Sequence, residues 1–437
     1  MLQEKLHNFL DWDFNRKVIN LSYFLIAIFF LTIYILPKLS GISLLLLGVL
    51  AWIYFFKNKI FNRIDHYLSI DEKRLFFVII LFSAFQIFSA FFQPEGYQMT
   101  LDEKLKALDY PLRWLYILPS IFLMKEYNFN KKTLIVSFTL GLIVASIFSL
   151  IQFYFLGMNR PIGFFNHNLP FAELIAIGNI ITLAYLHEIK DQGFSSLRFY
   201  LLTASVISLI SILHSGSRGV ILSYLGILLI HIVRTIFKSN NINKKRFLLK
   251  KSYLVTLLLV AVSFFNSPAY DLTRDRFNET IHEFSKNYKV SEHEGFIKKY
   301  NFNKALGGRV EIYEDSLDSI IIHPFGVGTN NFPSIDLDNK EINHAHNEIL
   351  NLSVEAGVHT ASLYLVILFL LLRIYIKSKK RDENIKFLAN SGLILVFSYF
   401  MFGLTQTLLS HNITLLFFIF LNYFFLSQLN IMSSKKN

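Results

Sequence analysis

Apolar stretches of about twenty residues recur along this 437-residue chain. A hydrocarbon layer about 30 Å thick accepts backbone only as helices of that length or as closed barrels. Hydrophobic residues make up 53% of the chain and charged residues 17%, too few charges to solvate a soluble protein of this size. Twelve stretches are long enough, or nearly so, to cross: 18–36, 39–56, 75–92, 109–124, 133–156, 169–187, 197–213, 219–237, 250–266, 356–376, 387–408 and 411–429. The fourth is the weakest, with Arg113 and Pro119 inside a short run. The expected fold class is therefore an all-α polytopic membrane protein of about twelve transmembrane helices with one long outer loop that itself contains helices. Residues 1–265 hold the first nine helices, 266–355 the loop, and 356–437 the last three.

Lysine and arginine gather on cytoplasmic connections. Alternate connections carry clusters such as Lys57, Lys59 and Arg63; Lys244, Lys245 and Arg246; and Lys379, Lys380 and Arg381. The opposite short connections hold only Lys38, Lys104, Lys106, Arg160 and Arg218. Both termini are thus expected in the cytoplasm and the loop 266–355 outside it. The net charge of +12 is mostly this topological signal, and basic residues at membrane boundaries rather than along one soluble face argue for membrane lipid and against nucleic acid as a partner. The first apolar run outlasts a signal-peptide core and follows Asp11 and Asp13, so it reads as a retained helix. With no cysteine in the chain, neither disulfides nor thiolate metal sites enter.

The polar residues with chemical potential lie outside the apolar runs. Residues 93–110 suit a short interfacial helix, 157–168 form a turn-rich connection, and His214-Ser215-Gly216-Ser217-Arg218-Gly219 reads as a tight turn between helices. In the long loop, 271–304 is highly charged and has no legible pattern. From Arg309, the apolar residues Val310, Tyr313, Leu317, Ile320 and Ile321 recur at helical spacing until Pro324 and Gly326 end the pattern. A helix starting near Gly308 sets Arg309 beside unpaired backbone N–H groups, a corner that favours anions. His346 and Asn347 begin a second helical pattern running through Gly357 into the tenth span. Arg160, Arg218 and Arg309 are each flanked by Gly or Pro, and together they suggest a phosphate or pyrophosphate clamp, since the guanidinium fork matches phosphate oxygens. Taken singly, each also fits a headgroup anchor or a loop salt bridge. His344 and His346 on a strand would share a face as metal ligands, but only His323 and His359 are near in sequence as a third ligand. A histidine at a helix entrance also suits a general base. Asn347 either orients it, bonds substrate, or caps the helix.

At these residues the chain resembles the O-antigen ligase superfamily, which includes lipid A-core:O-antigen ligases, O-antigen polymerases and related bacterial oligosaccharyltransferases. The ligase signature is His, then Asn, Ser or Gln, nine residues, Gly, two residues, then Gly, Thr or Tyr; His346-Asn347, Gly357 and Thr360 match it in full. Ser217-Arg218-Gly219, the Arg309 helix and Pro324-Phe325-Gly326-Val327-Gly328 look like the family's other landmarks. The resemblance implies a protein of the bacterial inner membrane with its site facing the periplasm. It implies glycosyl transfer from an undecaprenyl-pyrophosphate-linked glycan to lipid A-core or another hydroxyl acceptor, without metal or cofactor. In this reading His346 is the base, Arg218 and Arg309 hold the pyrophosphate, and Arg160, Asn347 and His344 join in substrate binding. Polymerase and protein O-oligosaccharyltransferase share these landmarks. A transporter should show inverted repeats and ionisable residues at mid-membrane; Glu173, His187 and His231, within or beside spans, are the residues that speak for one.

The orientation has a direct check. A cysteine at Asn287, unique in this chain, is expected to react with a membrane-impermeant thiol reagent in spheroplasts; labelling only after lysis would invert the assignment.

Overall fold

The computed structural model describes residues 2–127, 129–189, 195–237, 274, 278, 309–333, 335–337, 340–342, 344–379 and 385–434. The ninth sequence span, nearly all of the 271–304 stretch, and Gly307-Gly308 lie outside them. The described helices are α1 (Leu2–Thr32), α2 (Pro37–Lys57), α3 (Ile64–Tyr67), α4 (Ile70–Phe91), α5 (Leu101–Ala107), α6 (Asp109–Ile117), α7 (Ser120–Met124), α8 (Lys131–Tyr154), α9 (Asn168–Glu188), α10 (Ser196–His214), α11 (Arg218–Phe237), α12 (Arg309–Ile322), α13 (Glu348–Ala356), α14 (Val358–Lys379), α15 (Lys386–Gly403) and α16 (Asn412–Ser434). Between α12 and α13, β1 (Ile335–Leu337) and β2 (Lys340–Ile342) pair antiparallel with Ile335 opposite Ile342. The fold is mostly helical.

Among the described residues, nine helices are long and apolar enough to cross a membrane: α1 from Phe14, α2, α4, α8, α9, α10, α14, α15 and α16 through Leu429. The eighth expected span is helix α11, whose described apolar part is Gly219–Leu228. The fourth, 109–124, is not one helix. Pro119 offers no N–H and its ring crowds the carbonyl of Leu115, so the chain tightens into i to i+3 turns, Leu118 N donating to Leu115 O at 3.2 Å and Phe122 N to Pro119 O at 3.1 Å. Even if continuous, those residues would rise only about 24 Å at 1.5 Å each, short of the hydrocarbon thickness. Arg113 is buried there against Asp109, its Nε donating to Asp109 Oδ1 at 3.0 Å.

Several helix starts are set by side chains that take up unpaired N–H groups. Ser69 and Glu72 form a reciprocal capping box on α4 and Thr100 and Glu103 another on α5, the short helix expected within 93–110. Asn130 caps α8 and His167 caps α9. Helices α9 and α16 are the most enclosed of the nine, while large apolar side chains such as Phe24, Leu45, Phe56, Phe77 and Phe88 point outward, the surface a bilayer would cover. Between helices that lipid cannot drive together hydrophobically, buried polar groups bind. Asn179 of α9 accepts from Tyr224 OH of α11 at 2.6 Å and donates to Ser208 Oγ of α10 at 2.7 Å, fixing α11 against its neighbours. Glu173, also on α9, is fully buried, and neither carboxylate oxygen has a partner among the described residues.

Helices α4 and α14 run antiparallel. At one end Asp71 pairs with Arg373, 3.4 Å away, and with Lys377; at the other Ser89 Oγ donates to Glu355 O at 2.8 Å. Helix α13 sits on that second end. Its Glu348 and Glu355, with Gln86, Tyr110 and Asn351, line a cavity of about 20 Å³, room for about one water. Burial raises the Glu348 carboxyl to about 8 against a bond from Leu409 N, and raises Glu355 to about 7. An unfolded glutamate titrates near ~4.3. Between that value and 7–8 the folded protein keeps protons that the unfolded chain has released, so stability falls as pH rises through the window. The Tm advantage of the detergent-purified wild type over Glu348→Gln should therefore shrink from pH 6.5 to 8, and a difference that stays constant would show that Glu348 is ionised in the fold.

Candidate functional site

The Gly-rich turn after α12 and the glycine of the His-Asn motif form one joint. Val327 N donates to Val354 O at 2.9 Å, Gly328 N to Glu355 O at 2.8 Å, and Val358 N to Pro324 O at 3.1 Å. Gly326 has φ +92°, and a Cβ there would lie 2.4 Å from Glu355 O. Gly357 has φ +87°, and a Cβ there would lie 2.7 Å from Phe325 C. The joint breaks the helical pattern read from His346 into the tenth span, so α13 and α14 are separate helices. It also sets the C-terminus of α12 against that of α13, and because these helices pack together, their N-termini with Arg309 and His346 share one end.

His344 and His346 follow β2 in a bend rather than on a strand. Their rings meet edge to face at 4.2 Å between centroids. His346 has φ +50°, the left-handed region that a non-glycine residue holds only when its surroundings fix it. Its Nδ1 lies 3.4 Å from Gln406 Oε1. Asn347 is the cap of α13: Oδ1 accepts from Ile349 N at 3.0 Å and Leu350 N at 3.1 Å, while Nδ2 donates to Leu404 O at 3.3 Å.

Burial, then His344 and Arg309, push the His346 imidazole down to about 4; Gln406 opposes them. Burial, His167 and Arg309 lower His344. His411, immediately before α16, is lowered to about 4 by burial, His167 and His344, and its ring stacks toward His167 at 6.4 Å. Neutral imidazoles thus gather where Arg309 brings a full positive charge. Among the described residues no ion pair forms to Arg309.

Gly219, in the first turn of α11, lies against the same place, for a Cβ on it would come 3.2 Å from Gln406 Nε2 and 3.0 Å from Thr405 Oγ1. Arg218 therefore opens α11 beside the Gln406–His346 contact; its side chain lies outside the described residues. Arg160 lays its stem on Gly216, Cγ 3.4 Å from where a Cβ would be, in the turn that leads to Arg218. All six site residues named from the sequence thus fall at one end of the bundle. His323 packs on Tyr97 and His359 on Phe85 and Phe325. Among the described residues no three His, Asp or Glu side chains gather as a metal set.

Sequence reasoning missed Gln406, His411 and His167. Gln406 lay inside the eleventh expected span, 387–408, but α15 ends at Gly403, and Leu404–His411 is an irregular connection. The Thr405-Gln406-Thr407 run was the available signal.

These residues can bind an anion and accept a proton. The N-termini of α9, α11, α12, α13 and α16 all come to the site, through His167, Gly219, Arg309, Asn347 and His411, and each helix start carries partial positive charge. Among known proteins, one of Haemophilus influenzae described only as uncharacterized is 25% identical over 409 residues, 89% of this chain and 93% of that protein. A family model described as O-antigen ligase matches residues 203–365, the segment that holds Arg218, Arg309, His344, His346, Asn347 and Gly357. Over that segment the chain is similar to the O-antigen ligase family.

Proposed function

We propose that this protein is an inverting, metal-independent glycosyltransferase of the O-antigen ligase type. It transfers a glycan from an undecaprenyl-pyrophosphate carrier to a hydroxyl of lipid A-core at the periplasmic face of the inner membrane. The loop 266–355 is the periplasmic part, and the regions 1–265 and 356–437 are the membrane parts. The observation that carries this reading is the meeting of Arg309 and several helix N-termini around a neutral His346. A diphosphate brings the negative charge that the described residues do not pair with Arg309, and a neutral imidazole beside it is ready to take a proton.

In this mechanism Arg218 and Arg309 hold the diphosphate and stabilise charge as it develops on the leaving oxygen. His346 takes the proton from the acceptor hydroxyl, whose oxygen attacks the anomeric carbon. The sugar–phosphate bond breaks, undecaprenyl pyrophosphate leaves, and attack opposite the leaving group inverts the carbon. Arg160 and His344 border the donor, and Asn347 sets the end of α13 that carries His346.

The deciding assay uses purified protein, a polyprenyl-diphosphate glycan and several acceptors. Transfer to lipid A-core supports ligase; growth of the glycan on a second donor molecule would make the protein a polymerase. Arg218→Lys and Arg309→Lys keep charge but lose the two-pronged contact, so each should cut activity well below wild type while the protein still folds. Normal activity in both variants would assign these residues to topology and move the donor site.

His346→Ala should lose about 10²- to 10⁴-fold in single-turnover rate with donor binding largely kept, and His344→Ala should be milder, with or without EDTA. The pH dependence carries a sign. With its folded value near 4, His346 is neutral and competent above that pH, so kcat/KM, which reports the free enzyme, should fall only below about pH 5. A bound diphosphate favours imidazolium, so the acid limb of kcat should lie at higher pH than that of kcat/KM. The reverse order, or sensitivity to chelator, would remove His346 from the role of base.

A further inference from the structure

Three consecutive residues fasten the α15–α16 connection to the head of α13. His346 Nδ1 faces Gln406 Oε1 at 3.4 Å, Asn347 Nδ2 donates to Leu404 O at 3.3 Å, and Glu348 Oε2 accepts from Leu409 N at 2.9 Å. Gln406 is buried, and its amide nitrogen rests on the first turn of α11 against Gly219. It thus touches two sequence landmarks at once, the Ser217-Arg218-Gly219 turn and the His-Asn motif, which lie far apart in the chain.

We infer that Gln406 is the positioning residue for His346: its amide oxygen accepts the Nδ1 hydrogen, fixes that tautomer, and leaves the Nε2 lone pair facing the site. The inference rests on the proposed role of His346 as base. A neutral imidazole has one donor nitrogen and one acceptor nitrogen, and the bond made by one decides the state of the other. The left-handed backbone at His346 gives the same indication, because a strained φ persists only where contacts on both sides hold it. Gly219 follows from this arrangement, since any side chain there would press on Thr405 and Gln406 and shift the ring they hold.

The charged and titratable groups around the imidazole bear on the test. His344 meets it from its own segment and Arg309 from α12; Arg218 opens α11 beside Gln406; His167 at the start of α9 and His411 before α16 act through His344. Glu348, two residues on in the chain, is buried and bonded to Leu409 N. None of these changes when Gln406 is substituted.

The experiment measures single-turnover transfer and its pH profile for the full-length purified protein and its Gln406→Glu, Gln406→Leu and His346→Ala variants, with donor KM as the check on folding. Gln406→Glu keeps an acceptor on Nδ1 and adds negative charge, so the acid limb of kcat/KM should move up by about one pH unit or more with transfer retained. Gln406→Leu removes the acceptor and should lower kcat by about 10- to 100-fold, the usual cost of losing a partner that orients a functional histidine, with donor KM nearly unchanged. An unmoved acid limb in Gln406→Glu, in a protein whose His346→Ala variant is inactive, overturns the role of Gln406 and leaves the base in place. A near-normal His346→Ala variant overturns both. If Gln406→Leu raises donor KM as much as it lowers kcat, the residue only supports the fold and the inference fails.

Discussion

Every helix starts with N–H groups that its own backbone does not use, and in this protein the starts of five helices meet at one end of the bundle. That convergence is the constraint on which the site depends. Caps take up some of these donors: His167 serves α9 and Asn347 serves α13. Burial first, then Arg309 and the neighbouring histidines, push the nearby imidazoles toward their neutral forms, and the positive potential that caps do not cancel has the same sign. A histidine on a solvated loop would be partly protonated near neutral pH, whereas here burial and positive surroundings act in the same direction. Any anion that enters therefore meets a prearranged field, and its own charge relaxes the pressure on His346.

The glycines explain how the field is assembled. Because Gly326 and Gly357 have positive φ and no side chain, the ends of α12 and α13 close to backbone contact, and that contact fixes the beginnings of both helices with respect to each other. A methyl at either position would collide with backbone, which cannot rotate away as a flexible side chain can. The same logic holds at Gly219, where the neighbours are the side chains of Thr405 and Gln406.

Much of this was legible in the sequence because its signals are local. Apolar length gave nine span helices among the described residues, helical spacing from Arg309 gave α12, and Gly357 with His346 and Asn347 pointed to the candidate site. The fourth span went astray because an average of hydrophobicity over 109–124 cannot see that Pro119 removes a hydrogen bond. His167, Gln406 and His411 were missed for another reason. They reach the site only through tertiary packing, from the starts of α9 and α16 and from a connection that apolar neighbours disguised as membrane helix. The pairing of His344 and His346 was visible, and the strand geometry that would align them as ligands ends at Ile342; in the bend at His344 and His346 their rings meet edge to face.

Buried acid next to the site completes the electrostatic account. Glu348 follows His346 by two residues, and an ionised carboxylate there would raise the imidazole's proton affinity. Burial instead favours the protonated acid over an ordinary carboxylate, so its oxygen still accepts from Leu409 N and anchors the connection without offsetting Arg309. One end of α13 thus carries an acid kept from ionising and a base kept from protonating, both held by burial. On the proposed reading this arrangement keeps the site's net charge positive until the donor diphosphate supplies the counter-charge.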